Sequence, residues 1–254
     1  MPGDESIVCL SGTISSIDMD GRKRPVMVGA VLAIGVAVLL AWHAVDNSVS
    51  AEDRKYIPRY LEGIRAMPPE ATRSYEDEID FVVRVQRAVL DVAPRNEGLP
   101  FGAEREPKDL FEARRGLCFD RSRVIEKILR YASLEVRHIA LYSTRETGSA
   151  MKSLLAPGVS SHAVTEVLTK KGWLVVDSND PWVSLDATAS PVSIWRIKAS
   201  ADQRVRLVWS KPPNEIYEQP FTFVYGLYSR HGKLYPPYDL IPDINYAELA
   251  QNVR

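Results

Sequence analysis

The chain reads Arg-Gly-Leu-Cys-Phe-Asp at residues 115–120, immediately before a segment with helical periodicity. In that segment, apolar residues recur at intervals of three and four: Val124, Ile125, Ile128, Leu129 and Ala132. Cys118 therefore lies in the first turn of a predicted helix, on the face turned toward the protein. The positive end of a helix dipole favours thiolate, the nucleophilic form of cysteine. The stretch thus predicts a reactive thiol at Cys118.

A predicted hairpin farther along the chain carries a histidine and an aspartate. His162 opens the first of two predicted strands, residues 162–168 and 173–176, and a Lys-Lys-Gly turn at 170–172 joins them. Side chains alternate between the two faces of a strand. With the turn centred on the two lysines, Asp177 lies on the same face as His162, one diagonal step away. Diagonal neighbours are roughly 7 Å apart, so the imidazole and the carboxylate can meet.

These residues together predict a catalytic triad. His162 is expected to take the proton from Cys118 and return it later, while Asp177 orients the ring and stabilises its positive charge. The backbone N–H of Cys118, at a helix start, is a predicted donor to an oxyanion. Asp180 and Asp186 are alternative candidates for the carboxylate of the triad. Neither lies at a position that the alternation of the strand places on the same face as His162, as it does Asp177.

Each of these residues also has a structural alternative. In the structural interpretation, Cys118 is a buried thiol without a catalytic role, and His162 is a solvated histidine at the end of a strand. His138 alternates inside a predicted strand and is expected to pack in the fold or lie on the surface. One cysteine and one nearby histidine fall short of a zinc site, and no glycine-rich phosphate loop is present. No metal or cofactor is expected.

The order of these parts resembles the transglutaminase-like superfamily. Gly116-Leu117-Cys118 opens a helix, Ser161-His162 opens a strand, and Gly172-Trp173 begins the strand that Asp177 closes. The resemblance covers roughly residues 76–190. It implies an α+β fold with a papain-like core, in which the Cys-bearing helix packs on an antiparallel sheet that carries the histidine and the aspartate. It also implies acyl transfer through a thioester, or amide hydrolysis, on a peptide or protein substrate.

The chain departs from the pattern of this family at two places. Ala163 follows the histidine, where family members often carry an aromatic residue. Asp-Arg-Ser-Arg at residues 120–123 replaces small apolar residues in the helix that begins at the cysteine. Both departures concern the surroundings of the triad rather than its three members.

An uncharged apolar run near the N-terminus predicts a membrane segment. Residues 25–42 would form a helix about 27 Å long, against a bilayer core of about 30 Å. A basic run at residues 22–24 precedes it and acidic residues follow it. This asymmetry predicts a cytoplasmic segment at 1–24, an anchor at 25–43, and everything after residue 45 outside the cytoplasm. The domain would then be periplasmic or extracellular.

Two other interpretations of the apolar run stay open. The small residues Val49-Ser50-Ala51 suit a cleavage site, so residues 25–43 would equally serve as a signal sequence. A buried core helix is the third interpretation, although no polar face interrupts the run.

The rest of the chain divides into three predicted parts. Residues 44–75 are a proline-containing linker, 76–230 the transglutaminase-like domain, and 231–254 a tail with little regular structure. The periodicity predicts helices at 76–93 and 108–115 and strands at 136–142, 205–209 and 221–228, in addition to the hairpin.

Composition limits the class of function. The net charge of −1 gives no indication of nucleic-acid binding, and two cysteines cannot make a disulfide framework. The leading hypothesis is a membrane-tethered, extracytoplasmic cysteine enzyme, with hydrolysis of peptide or isopeptide bonds favoured over crosslinking. Its substrate would be a peptide or protein, with the cell envelope as one source. A non-catalytic cell-envelope binding module is the alternative; an acyltransferase using acyl-CoA is disfavoured because that donor is cytosolic.

Overall fold

A computed structural model of the protein describes residues 23–100, 104–228 and 242–253, with side chains from residue 31 onward. The chain divides after Trp42 into two compact units, and the first described element, a helix, ends there. Among the described residues, no helix is both long and apolar enough to cross a membrane. The predicted cytoplasmic segment 1–24 lies outside the described residues except for its last two, so its location and the anchor at 25–43 stay predictions.

In the described part of the chain, five helices precede the first strand, and the other helices lie between or after the strands. The helices are α1 Lys23–Trp42, α2 Asp53–Tyr60, α3 Tyr75–Val92, α4 Pro107–Ala113, α5 Cys118–Tyr131, α6 Ala150–Leu155, α7 Ile194–Gln203 and α8 Tyr246–Leu249, with 3-10 turns at Glu215–Tyr217 and Ala250–Val253. The strands are β1 Val136–Ser143, β2 Ser161–Thr169, β3 Gly172–Val176, β4 Phe221–Tyr225, β5 Leu227–Tyr228 and β6 Asp243–Ile244.

The principal sheet has the order β3-β2-β1-β4, and every neighbouring pair is antiparallel. Helix α5 packs against β2 and β1, and α3 packs against α5. The apolar side chains of the predicted stripe on α5, such as Ile125 and Leu129, are fully buried. This confirms an α+β fold in which the helix that begins at Cys118 lies on an antiparallel sheet.

The hairpin of β2 and β3 has the predicted register. Leu168 pairs with Trp173 and Thr165 with Val176, so Asp177, the next residue, follows in phase opposite Val164. One other local prediction, the strand at 205–209, is wrong. Residues 205–209 form no strand, and the structure places a helix, α7, just before them.

The linker predicted for residues 44–75 is instead part of the second unit. On α2, Ile57 and Tyr60 are buried in the same apolar cluster as α3 and α5. Asp53, at the start of α2, accepts a hydrogen bond from Lys127 of α5 at 3.0 Å. Sequence periodicity misses this helix because it is short and most of its residues are polar. A buried ion pair adds to its few apolar contacts.

The described end of the tail is also ordered against the domain. Within residues 242–253, Glu248 of α8 is buried, accepts a hydrogen bond from Arg130 at 2.6 Å and accepts another from the backbone N–H of His138 at 2.9 Å. Residues 229–241 of the predicted tail lie outside the described residues. The expectation of little regular structure is therefore wrong for the last part of the chain.

Candidate active site

Cys118 is the first residue of α5 and is 2% exposed. The preceding Leu117 is extended (φ −84°, ψ 178°), and its N–H donates to Oδ2 of Asp120 at 2.8 Å. A side chain at Gly116 would place its Cβ 2.5 Å from Cδ1 of Leu110. Any other residue at this position would therefore require the side chain of Leu110 in α4 to shift. These contacts fix where the thiol begins its helix.

His162 bonds directly to Asp177. Its Nε2 lies 2.9 Å from Oδ2 of Asp177, and both side chains are buried. Burial disfavours a charged imidazole, but the charge of Asp177 and hydrogen bonds to Asp177 and Cys118 outweigh it. Together they raise the pKa of His162 to about 10. Since Asp177 occupies Nε2, the other ring nitrogen, Nδ1, is left for the thiol.

The raised pKa links this pair to stability. An unfolded histidine has a pKa of about 6.5, so folding favours the protonated form of His162. The resulting stabilisation is fully present below the unfolded value and is lost as the pH rises through about 10. At neutral pH the ring is an imidazolium that faces both a carboxylate and a thiol.

Asp177 is held as an ionised acceptor by three further donors. The hydroxyl of Tyr217 donates to Oδ2 at 2.6 Å, and the N–H groups of Asn179 and Asp180 donate to Oδ1 at 2.7 and 2.8 Å. Burial opposes ionisation, yet the charge of His162 and these hydrogen bonds keep the pKa of Asp177 below its usual value. Tyr217 is a member of the site that no sequence pattern indicated, because it lies 40 residues from Asp177.

Two side chains from other elements fix the loop after β3. Gln86 of α3 donates through Nε2 to the backbone oxygens of Asp177 at 2.7 Å and Trp182 at 2.6 Å. Arg121 of α5 donates to Oδ1 of Asn179 at 2.7 Å. Sequence reasoning missed Gln86, and it noted Arg121 only as a departure from the family pattern.

Arg121 also contributes charge to the site. Burial lowers the pKa of its guanidinium, and the nearby Cys118, Asp120 and Asp177 oppose that shift. The side chain is anchored through Nε to the backbone oxygen of Ala93 at 2.9 Å. Arg121 is therefore a fixed cation close to both Cys118 and Asp177.

Residues 144–160, which we call the cap, cover the thiol. Val159 belongs to the apolar cluster that contains Cys118 and Ala163, and Leu154 of α6 packs against that cluster. Two glycines in the cap, Gly148 and Gly158, have φ of +63° and +78°, a conformation that suits glycine. In this structure the cap therefore contributes to the burial of Cys118, which is 2% exposed.

The side chains of the remaining candidates have other partners in the described part of the chain. His138 is buried and stacks on Tyr228 with ring centroids 4.1 Å apart, and burial lowers its pKa well below the usual value. Its predicted packing role therefore fits the structure. Asp180 accepts from Asn214 at 3.0 Å, and Asp186 accepts from Thr188 at 2.7 Å. In the described part of the chain, no three His, Cys, Asp or Glu side chains form a group that could hold a metal ion.

The geometry thus brings Cys118, His162 and Asp177 together as the strand register predicts, while their catalytic roles stay predictions.

Comparison with known proteins gives two findings. Residues 65–178 match the model of the transglutaminase-like superfamily, which confirms the resemblance. The crystal structure of a candidate cysteine protease from Cytophaga hutchinsonii is 13% identical, with a TM-score of 0.36. The match covers 57% of this chain and 42% of that one, less than half its length. No curated protein matches the chain.

Proposed function

We propose, since residues 65–178 of the chain match the model of the transglutaminase-like superfamily, that the protein is a cysteine enzyme acting on amide or peptide bonds. The observation that carries this proposal is the position of His162. Its ring bonds to the buried carboxylate of Asp177 and to Cys118, which begins a helix. A thiol, an imidazolium and a buried carboxylate in this order are the parts of a nucleophilic triad.

The reaction follows from the position of each proton. The thiolate of Cys118 attacks the carbonyl carbon, and the oxyanion that forms faces the N–H at the start of α5. The imidazolium of His162 gives its proton to the leaving amine, the C–N bond breaks, and a thioester remains on Cys118. Neutral His162 then takes a proton from water, which attacks the thioester, breaks the C–S bond and releases the acid, so that the thiolate of Cys118 and the imidazolium of His162 are restored. An amine in place of that water would give transfer instead of hydrolysis, and we favour hydrolysis because water is always available.

The pH dependence of Cys118 labelling tests the triad. Labelling by iodoacetamide in a Cys9→Ser background is expected to change little between about pH 6 and about pH 8, because the imidazolium of His162 holds the thiolate over that range. In His162→Ala, the rate should rise about 100-fold over the same interval, since an ordinary thiol ionises near 8.5. The measurement is the ratio of the two rates, which does not depend on how often the cap opens.

Asp186→Asn is the matched control for this measurement, because Asp186 is half-buried and, among the described residues, its carboxylate accepts hydrogen bonds only from Thr188 and Ser190 of its own loop. It should leave the ratio of the two labelling rates unchanged. A steep rise with pH in the parent protein, unaltered by His162→Ala, would show that Cys118 is an ordinary buried thiol. The protein would then be the alternative, a cell-envelope binding module that kept the fold.

We further propose that the enzyme is tethered by a single-pass anchor at residues 25–43, with the domain outside the cytoplasm. The support is the basic run at 22–24 before an uncharged apolar run. A phosphatase reporter that works only outside the cytoplasm, fused after residue 60, is expected to be active, and a cytoplasmic reporter at the same place should be silent. The reverse pattern would overturn the assignment. The mass of the mature chain distinguishes an anchor from a signal sequence cleaved after Ala51.

A further inference from the structure

Tyr217, whose hydroxyl donates to Asp177, also lines a cavity of about 770 Å³. That volume lies within the range of about 300–1,000 Å³ typical of ligand sites. The base of the cap, the C-terminal end of α7 and the segments 204–209 and 217–220 form its wall. Nothing in the mechanism above uses this cavity.

Three arginines give the cavity its charge: Arg145, Arg204 and Arg206. Of the lining residues that the structure describes, Glu218 is the only acidic one. The nearest carboxylate to Arg145 is that of Glu215, 3.9 Å away, and both side chains are mostly exposed. Within the described part of the chain, Arg204 and Arg206 take part in no ion pair. Among the described residues, at least two guanidinium groups of the cavity thus have no carboxylate within ion-pair distance.

The cavity offers these charges together with an aromatic wall. The rings of Trp209 and Tyr217 line it, and Trp182 packs against both rings at centroid distances of 5.4 and 4.7 Å. Guanidinium groups bind carboxylates through paired hydrogen bonds, and an aromatic wall excludes water from the rest of the ligand. The chemistry therefore fits a peptide segment that carries a carboxylate.

Strand β1 relates the cavity to the reacting residues. Leu141 pairs with His162, and Arg145 lies four residues farther along the chain. The N–H of Thr144 donates to the backbone oxygen of Pro220 at 2.9 Å, so the chain passes from the strand into the cavity wall. At about 3.3 Å per residue, the path from Leu141 to Arg145 is at most about 13 Å. An extended substrate covers that length with about four residues.

We propose that this cavity binds a carboxylate of the acyl-donor peptide, about three or four residues from the bond that Cys118 attacks. The inference rests on the proposed function of Cys118 and specifies its substrate as an acidic peptide. Arg145, Arg204 and Arg206 then determine specificity without touching the reacting atoms.

The test measures binding to the full chain carrying Cys118→Ala, so that it does not depend on catalysis. The probes are a series of fluorescein-labelled, alanine-based peptides with a central glutamine. Each peptide carries a single glutamate at one of the four positions on either side of the centre. Its reference is the same peptide with glutamine in place of that glutamate. We expect glutamate at one position, three or four residues from the centre, to tighten binding about tenfold, as hydrogen bonds to a charged group do. The double change Arg204→Gln and Arg206→Gln should remove that gain, and Arg65→Gln, an exposed arginine elsewhere, should keep it.

Three results would overturn the inference. In the first, no position distinguishes glutamate from glutamine. In the second, the gain survives the loss of Arg204 and Arg206. In the third, glutarate alone binds as tightly as the best peptide, which would make the cavity a site for a free carboxylate. None of these results bears on the labelling of Cys118, so the inference and the proposed function fail separately.

Discussion

Replacing Asp177 by asparagine is expected to lower the turnover rate by up to about 10⁴ while leaving the fold intact. Asparagine has the same shape but lacks the charge that holds His162 as an imidazolium. The carboxylate lies 2.9 Å from the ring and is fully buried, so no water replaces its charge. Loss of the charge therefore lowers the pKa of His162 and removes the ion pair that keeps Cys118 nucleophilic. The measurement is kcat/KM on a peptide that the parent enzyme cleaves.

Two neighbouring carboxylates supply the controls for this prediction. Asp180→Asn and Asp186→Asn remove charges that contact Asn214 and Thr188 rather than His162, so each should cost far less in turnover. Melting temperatures of all three variants separate a catalytic loss from unfolding. If turnover is lost in Asp186→Asn and unchanged in Asp177→Asn, the carboxylate that acts on His162 comes from the loop and not from the end of β3.

Replacing Lys127 by methionine is expected to lower the free energy of unfolding by about 3–5 kcal/mol, the usual cost of leaving a buried charge unpaired. The Nζ of Lys127 lies 3.0 Å from Oδ2 of Asp53 and 3.1 Å from Oε2 of Glu106, and only 4% of its side chain is exposed. Without the lysine, the buried carboxylate of Asp53 loses its cation, whereas Glu106 keeps an ion pair with Arg123 at 2.8 Å. Urea unfolding monitored by tryptophan fluorescence gives the free energy.

Lys108→Met is the matched control for Lys127→Met. Its Nζ bonds to Glu52 at 3.1 Å, about the same distance, but both side chains are well exposed to solvent. Because solvent screens such pairs, the free energy of unfolding should stay nearly unchanged. Adding Asp53→Leu to Lys127→Met should recover part of the loss, since the charge left unpaired is removed. Equal losses for the Lys108 and Lys127 variants would contradict a special role for burial.

The parts of the site that the sequence predicts are those set by local rules. The Lys-Lys-Gly turn and the alternation of side chains determine the register of β2 and β3, and therefore which carboxylate meets His162. The periodicity of α5 places Cys118 at a buried helix start in the same way. Neither rule requires knowledge of distant residues.

The parts that the sequence does not predict depend on distant contacts. Tyr217 and Gln86 reach Asp177 and its loop from elements 40 and 91 residues away. Helix α2 is held partly by the pair of Asp53 and Lys127, which a search for apolar periodicity does not see. Such contacts are visible only after the elements are packed together.

The cap has a consequence for the chemical lifetime of the thiol. The thiolate that the proposed mechanism requires is also the form that oxidants attack, giving sulfenic acid and then irreversible products. Outside the cytoplasm, where we propose the domain lies, no thiol-reducing pool restores such damage. Cys118 is 2% exposed and packs in one apolar cluster with Val159 and Leu154, so this structure gives peroxide little access to the sulfur. Under the proposed function, the motion that admits a substrate would also admit an oxidant, and the thiol would be most vulnerable while it is accessible and no substrate is bound.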